Sequence, residues 1–262
     1  MTIPSVRKLM VIGVGVGDPD FVTVQAVNAL NAVDVFFVLD KGPAAADLAR
    51  ARQAICEKFI THDRYRTVTV TDPVRDRGAA DYPDAVRRWR DERAERLEKV
   101  IDAELDAHGV GGFLVWGDPS LYDGTIRVIE TIIDRGALTV DYEVIPGISS
   151  VQALAARHRI AVNRVAGAVH VTTGRRISQG LPDDADDVVV MLDADLACAA
   201  YRDEDIDIYW GAYLGTADEI LVAGRLGEVI DHIAQTRADL RQRKGWIMDT
   251  YLLRRHPVPP FQ

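Results

Sequence analysis

The chain has 262 residues, with 31 Lys+Arg against 40 Asp+Glu, a formal net charge of −9 and 48% hydrophobic residues. This composition excludes a disordered chain, and the acidic balance argues against a nucleic-acid coat, which needs a basic footprint. No apolar run approaches the ~18 residues of a membrane span, and the length suits one large domain or two small ones. The start, MTIPSVRKLMVIGVGVGDPD, sets two basic residues before a short apolar stretch. Gly13, Gly15 and Gly17 interrupt that stretch and acids end it, so it reads as a strand and a loop rather than a signal peptide.

Residues 8–16 form an apolar, β-branched run ending in glycines, which predicts a buried first strand. Thr23 can cap a helix through about Ala32, and residues 33–39 predict a second buried strand, parallel to the first. A helix over 45–59 and a β-rich piece over 65–71 follow, then a loop over 72–83 rich in Pro, Asp, Arg and Gly. Residues 84–108 predict a long helix with Val86, Trp89, Leu97 and Leu105 on its apolar face, ended by Gly109. Arg87, Arg88, Arg90 and Arg93 lie among acids and read as solvated, and Trp89 as core. A strand over 112–116 runs into Gly117-Asp118-Pro119 and a helix over 121–134. A strand over 139–145 ends at Pro146-Gly147, and another helix starts near Ser149.

Alternation of strand and helix over the first ~150 residues is the signature of a parallel α/β sheet. After about residue 165 the pattern changes. Strands are predicted over 169–173, 188–193, 206–213, 220–223 and 246–253, with one clear helix over 226–241 and an extended tail. The expected organisation is an α/β domain over 1–148 and an α+β domain with a mixed sheet over 149–262. Cys56 and Cys198 are far apart and lack CxxC spacing, so neither a disulfide framework nor a metal site is expected, and the cytoplasm is the expected compartment.

The glycines of GVGVGD (13–18) allow a tight turn or close approach of a ligand to backbone. The spacing fails the dinucleotide fingerprint, because Asp18 stands in the place of its third glycine, and no Walker loop is present. A carboxylate facing a pyrophosphate at ~5 Å and an effective dielectric of ~20 would cost roughly 3 kcal/mol per like-charge pair. The sign reverses for a cation. Asp18, Asp20, Asp118 and Asp123 all follow predicted parallel strands, where open α/β sheets bind ligands. Glycines and acids together suit S-adenosylmethionine, a sulfonium without phosphate. The same glycines can serve a tight strand-to-helix turn alone, with the acids as helix caps. GDPSLYD (117–123) and PGISS (146–150) repeat this grammar, and their Asp and Ser residues can likewise be simple caps.

Taken together, GxGxGD near the N-terminus, Gly-Asp-Pro about a hundred residues later and then PGISS resemble the tetrapyrrole methylases, the class III S-adenosylmethionine-dependent methyltransferases. DVFFVLDKG (34–42), FLVWGDPSLYD (113–123), YWGAYLGTADEI (209–220) and GWIMDTYLLRR (245–255) narrow the resemblance within the family to a deacetylating enzyme of aerobic cobalamin synthesis. The resemblance implies an N-terminal parallel sheet, a C-terminal mixed sheet, a cofactor cleft between them and a homodimer. It implies methylation of precorrin-5 at C-1 by S-adenosylmethionine, with release of acetate, and neither nucleic acid nor membrane as a partner. Other class III methyltransferases, such as another precorrin methylase or a diphthine synthase, are the alternative, and a nicotinamide-dependent oxidoreductase and a non-catalytic binder of the same ligand are further rivals.

By the same resemblance, Gly15, Gly17 and Pro19 of the first loop lie by the cofactor, and Trp116, Gly117, Asp118 and Leu121 hold its methionine part. Ser149 and Ser150 bind it too, Met191 or Leu192 packs on the adenine, and Ala212 and Ala223 read it through backbone. Val16 stands where the family often has a smaller residue or proline. Methyl transfer is an in-line displacement that needs alignment and a dry site rather than a covalent nucleophile or metal. Deacetylation adds water to a carbonyl and needs proton transfer. Asp118, Tyr122 and Asp123 are the catalytic candidates, with Asp40 and His170 also in reach of that role; His170, in the apolar context AGAVHVTT, suits a core position. Arg64, Arg66, Arg75, Arg77, Arg175 and Arg176 are candidates to grip substrate carboxylates, and surface charge is the plainer reading of most of them.

Overall fold

The computed structural model describes residues 6–40, 46–74 and 81–256. They form two compact units: one holds the described residues up to Gly15 and Pro19–Ile148, the other Val16–Asp18 and the described residues from Ser149.

The first unit is built from β1 (Arg7–Gly13), α1 (Val24–Leu30), β2 (Val35–Asp40), α2 (Ala46–Phe59), β3 (Arg66–Thr71), α3 (Tyr82–Glu104), β4 (Val110–Val115), α4 (Thr125–Arg135) and β5 (Val140–Ile145). All five strands are parallel, in the order β3-β2-β4-β1-β5. β1 and β2 share a direction, as the crossover through α1 allows, but they are not neighbours, because β4 inserts between them. Two glycines make that slot usable. A Cβ at Gly111 would lie 2.8 Å from both Leu9 Cδ2 and Phe37 Cε2, and one at Gly112 would lie 2.8 Å from Val33 Cγ2. The apolar residues of the strands alternate between two faces. Leu9, Phe37 and Phe113 pack with α3 and α4, while Ile12, Phe36 and Ile55 form the other layer with α1 and α2.

Several boundaries differ from the expected ones. α3 stops at Glu104, not 108, because Leu105 leaves helical geometry to enter the core, and Gly109 closes the following turn by donating to Asp106 O at 2.9 Å. α4 starts at Thr125, not 121, since Tyr122 adopts φ +53° and the Asp123 carboxylate takes the Thr125 N–H at 2.7 Å. Arg93 is not solvated. It is 7% exposed, donates through Nε to Asp72 at 2.7 Å and lies 3.8 Å over the ring of Trp89. Trp89 is therefore a half-buried platform for a cation rather than core, and its indole N–H is held by Pro73 O at 2.8 Å.

The second unit comprises α5 (Ser150–His158), β6 (Val169–Thr173), the short α6 (Gly174–Ile177), β7 (Asp187–Met191), β8 (Ile206–Ala212), β9 (Ile220–Arg225), α7 (Leu226–Lys244) and β10 (Asp249–Arg255). The sheet order is β6-β7-β10-β8-β9, with β6 parallel to β7 and the other pairs antiparallel, so the sheet is mixed as expected. α6, with its single turn, carries no helical period that a sequence reading could detect. β10 begins three residues later than expected. Before it, Trp246 packs edge-on against Tyr213 at 5.3 Å, and Met248 O accepts the Tyr213 N–H at 2.9 Å.

A charged cluster is sealed beneath this sheet. Arg237, 4% exposed, places Nε 2.8 Å from Asp249 Oδ2, which also accepts the Trp210 indole N–H at 2.8 Å. Tyr251 OH donates to Asp193 Oδ2 at 2.6 Å, and Arg237 donates to the Asp193 carbonyl. Burial raises the pKa of Asp249, and Arg237 opposes that shift. Removing one member of such a pair strands the other charge in the interior. Arg237→Ala is expected to lower unfolding stability by about 3–5 kcal/mol. Urea unfolding checks this, and a loss below about 1 kcal/mol would mean that the pair is not the anchor described here.

Candidate functional site

Three strand-end loops of the first unit interlock through backbone. After β1, Gly15 and Gly117 form an antiparallel bridge: Gly117 N donates to Gly15 O at 2.8 Å, and Gly15 N to Gly117 O at 3.3 Å. Both glycines have left-handed backbones, at φ +77° and +72°, which a side chain would resist. The third loop closes on the other two. A Cβ on Gly147 would lie 2.1 Å from Gly117 O, and one on Gly13 would lie 2.6 Å from Gly147 N. The glycines are therefore required by chain packing.

Asp118 fastens this arrangement. Its Oδ2 accepts Gly147 N at 2.9 Å, and its Oδ1 accepts Ser120 N at 2.8 Å together with the Ser120 hydroxyl. Burial pushes the Asp118 pKa up, but the bonds from Ser120 Oγ, Gly147 N and Ser120 N outweigh it and leave the carboxyl below its ordinary value. Both oxygens are thus engaged in holding the loops together. Beside it, Trp116 Nε1 is buried with no acceptor among the described residues.

The other candidates of this unit are spread around that lock. Pro19 opens the short turn Pro19–Phe21, and Asp20 pairs with Lys58 at 2.7 Å. Leu121 is half-buried, and Tyr122 is 47% exposed with its pKa raised by burial. Asp123 faces Arg52, a residue the sequence reading missed. Its signal was present in the sequence: Arg52 stands three and four residues before the buried Ile55 and Cys56, on the inward face of α2. Asp40 is exposed at the end of β2. Arg66 is committed to Glu104 at 2.6 Å, and Arg64 is exposed. Arg75 and Arg77 lie outside the described residues, as does the tail from 257.

In the second unit, Gly17 (φ +139°) packs on the segment after β8, where a Cβ would lie 2.6 Å from Thr216 Cγ2. Asp18 is 3.8 Å from Arg157, so its charge has a partner already. Ser149 caps α5: its Oγ accepts Val151 N at 3.1 Å and its N–H goes to Gln152 at 3.2 Å. Ser150 Oγ accepts Thr250 Oγ1 at 3.1 Å. The sheet brings Met191, Thr250 and Gly211 into one row, with Ala212 next to it. Leu192 follows, 66% exposed at φ +53°. Ala223 is not in that row. It pairs with Tyr209, three residues along β8 from Ala212. His170 is exposed, not core, because β6 is an edge strand with one solvated face. Arg175 and Arg176 are exposed on α6.

Comparison with known proteins gives these loops a context. The family of Tetrapyrrole (Corrin/Porphyrin) Methylases matches residues 8–230. The chain belongs to the tetrapyrrole methylase family. The methylase is 47% identical over 251 residues, 96% of both chains, to a precorrin-6A synthase [deacetylating] of Sinorhizobium sp. It resembles the crystal structure of a cobalamin synthesis related protein (CobF) from Corynebacterium diphtheriae, with 39% identity, a TM-score of 0.83 and coverage of 95% and 98% of the two chains. It also shares the fold of a Thermus thermophilus uroporphyrin-III C-methyl transferase crystallised with S-adenosyl homocysteine, at 16% identity, a TM-score of 0.58 and coverage of 94% and 91%. Among the described residues, no helix of the methylase is long and apolar enough to cross a membrane.

The depressed Asp118 pKa has a defined consequence. A carboxyl held below its unfolded value adds stability that is complete above the unfolded range, near pH 4, and disappears as pH falls through the folded value. Asp118→Asn is expected to lower stability at neutral pH and to flatten the acid limb of the urea midpoint measured against pH. An unaltered acid limb would remove Asp118 from the role of fastener.

Proposed function

We propose that the methylase transfers a methyl group from S-adenosylmethionine to C-1 of precorrin-5 and releases the acetyl group as acetate, giving precorrin-6A in cobalamin synthesis. The observation that carries this is the 47% identity over nearly the full length of both chains to a precorrin-6A synthase [deacetylating]. Another class III specificity, such as a diphthine synthase, has no comparable support. We further read the protein as a cytoplasmic homodimer; two free, buried cysteines agree with a reducing compartment.

The strand-end loops suit this donor. When bound, S-adenosylmethionine supplies an electrophilic methyl on a sulfonium. The buried Trp116 N–H, which has no acceptor among the described residues, fits the amino acid carboxylate. Gly15 and Gly117 present backbone without side chains, and Asp118 holds the second and third loops in register. The protein's task is alignment and exclusion of water, since an in-line displacement at carbon needs no covalent enzyme intermediate. Tyr122 and Asp123, in the loop before α4, are our candidates to move a proton in the deacetylation half.

Incubation with S-adenosylmethionine and precorrin-5, followed by mass spectrometry, tests the reaction. A product that gains one methyl and loses one acetyl is expected. Retention of the acetyl would keep a methylase but reject deacetylation, and an unchanged tetrapyrrole would reject the acceptor. For the cofactor placement, calorimetry with S-adenosylhomocysteine is expected to show at least tenfold weaker binding by Asp118→Ala, about 1.4 kcal/mol. Unchanged affinity would place the cofactor elsewhere.

A further inference from the structure

The parallel sheet of the first unit has a gap. β2 pairs with β4 only at Val35↔Gly111 and Phe36↔Gly112, although both strands continue for three or four more residues. Beyond that point, at the C-terminal ends where open α/β sheets take their ligands, lies a cavity of about 50 Å³. Phe37, Leu39, Phe113 and Val115 are among its apolar lining residues, and its polar side chains come from Arg52, Asp123 and Thr125. Arg52 rises from α2 and Asp123 precedes α4, helices that pack in different layers. The gap lets the two charges sense each other.

Building on the reaction proposed above, we infer that this pocket receives the departing acetyl group, with Arg52 binding its carbonyl oxygen and Asp123 holding the attacking water. Three observations carry the inference. Arg52 Nε is buried and has no acceptor among the described residues, so this donor stands at the cavity unused by the fold. Asp123 spends one oxygen on Thr125 N at 2.7 Å, and its Oδ2 makes no hydrogen bond among the described residues. The cavity suits a group of a few heavy atoms, with its methyl against the phenyl rings. Charge then selects the group. One cation and one anion cancel, which favours a neutral carbonyl over the substrate's carboxylates, which Asp123 repels. Burial lowers the Arg52 pKa from its ordinary value, as expected of a guanidinium held away from water, and Asp123 opposes the shift.

The chemistry balances. The water oxygen bonds to the acetyl carbon as Asp123 takes a proton, and Arg52 stabilises the charge that grows on the carbonyl oxygen. The bond from the acetyl carbon to the ring then breaks. Its electron pair stays on the ring carbon, conjugated with the macrocycle, and that carbon then takes the methyl cation from the sulfonium, so the ring exchanges one acyl cation for one methyl cation. Acetic acid leaves and ionises, and Asp123 returns its proton to solvent.

Acetate and S-adenosylhomocysteine formation by the full-length protein with S-adenosylmethionine and precorrin-5 tests the assignment, with calorimetry of S-adenosylhomocysteine binding beside it. The unaltered enzyme is expected to give the two products one to one. Because the ring carbon takes the methyl only after the acetyl has left, Asp123→Asn, which keeps an acceptor for Thr125 N, is expected to lower both product rates at least tenfold, with unaltered precorrin-5 in the mass spectrum and the S-adenosylhomocysteine affinity of the parent. Arg52→Gln is expected to act in the same direction, with Arg52→Lys closer to the parent. Parent rates in both Asp123→Asn and Arg52→Gln, or a loss of S-adenosylhomocysteine affinity in both, overturns the assignment. If the unaltered enzyme forms S-adenosylhomocysteine without acetate, the reaction itself has been misread, and the pocket has no acetyl group to receive.

Discussion

Backbone contact between Gly15 and Gly117 is the constraint from which the rest of the first unit's binding face follows. Two loops that leave adjacent parallel strands ordinarily diverge, since each must start a helix on a face of the sheet. Here they are hydrogen-bonded to each other just past the strands, and Gly147 from the third loop is pressed against Gly13 and Gly117. Only residues without a Cβ permit that approach. The Asp118 carboxylate then spans from the second loop to the third, so the ends of β1, β4 and β5 form one assembly. A site that must align a donor with an acceptor gains most from such preorganisation, because its catalytic power lies in fixed geometry rather than in a reactive side chain.

The second unit solves a similar problem with buried charge. Its central strand β10 carries Asp249, Thr250 and Tyr251, and the first and last of these reach the Arg237–Asp193 cluster under the sheet. Asp193 lies directly after Leu192, whose left-handed backbone places an exposed leucine at the end of β7. Asp193 accepts Ala197 N at 2.7 Å and Asp195 N at 3.1 Å, which ties the turn down from the other side. An unfavourable backbone persists only where its surroundings over-determine it. The cluster supplies that determination, and the leucine is thereby displayed rather than buried.

Periodicity made most of the architecture legible in the sequence. Strands β1 to β10 all fall within a few residues of their predicted spans, because runs such as VFFVL and DVVVM permit little else. What periodicity could not carry was neighbourhood. Nothing local in residues 110–115 says that β4 enters between β1 and β2; that depends on Gly111 and Gly112 fitting against Leu9, Phe37 and Val33, a long-range contact. The start of α4 was misplaced for the opposite reason. Leu121 and Tyr122 look helical, yet the Asp123 side chain and Gly124 delay the helix, a competition that hydrophobic spacing does not register. The motif loops were recognised, and capping was one of the readings open for their Asp and Ser residues; Ser149 does cap α5, but the reach of the Asp118 carboxylate to Gly147 of the next loop is a long-range contact that no local pattern carries.

The same distinction between counting and placement governs the charge. A chain of net charge −9, with four aspartates following its strands, looks hostile to a polycarboxylate substrate. In the folded protein each of those acids is already answered. Asp118 is held by three donors, Asp20 by Lys58, Asp18 by Arg157, and Asp123 by the Thr125 N–H with Arg52 nearby. The potential a ligand meets is set by these local pairings and by the low-dielectric walls around them, not by the sum over the chain. Arg52 is the instructive member. By count it is one of 31 basic residues, and its helical spacing to Ile55 and Cys56 marks only an inward face, not a chemical role. Its distinction comes from a pair of strands that part after two residues of pairing, which leaves a cation and an acid facing each other across a gap lined by phenyl rings. A feature of sheet register thus decides where polar chemistry can occur in an otherwise apolar layer.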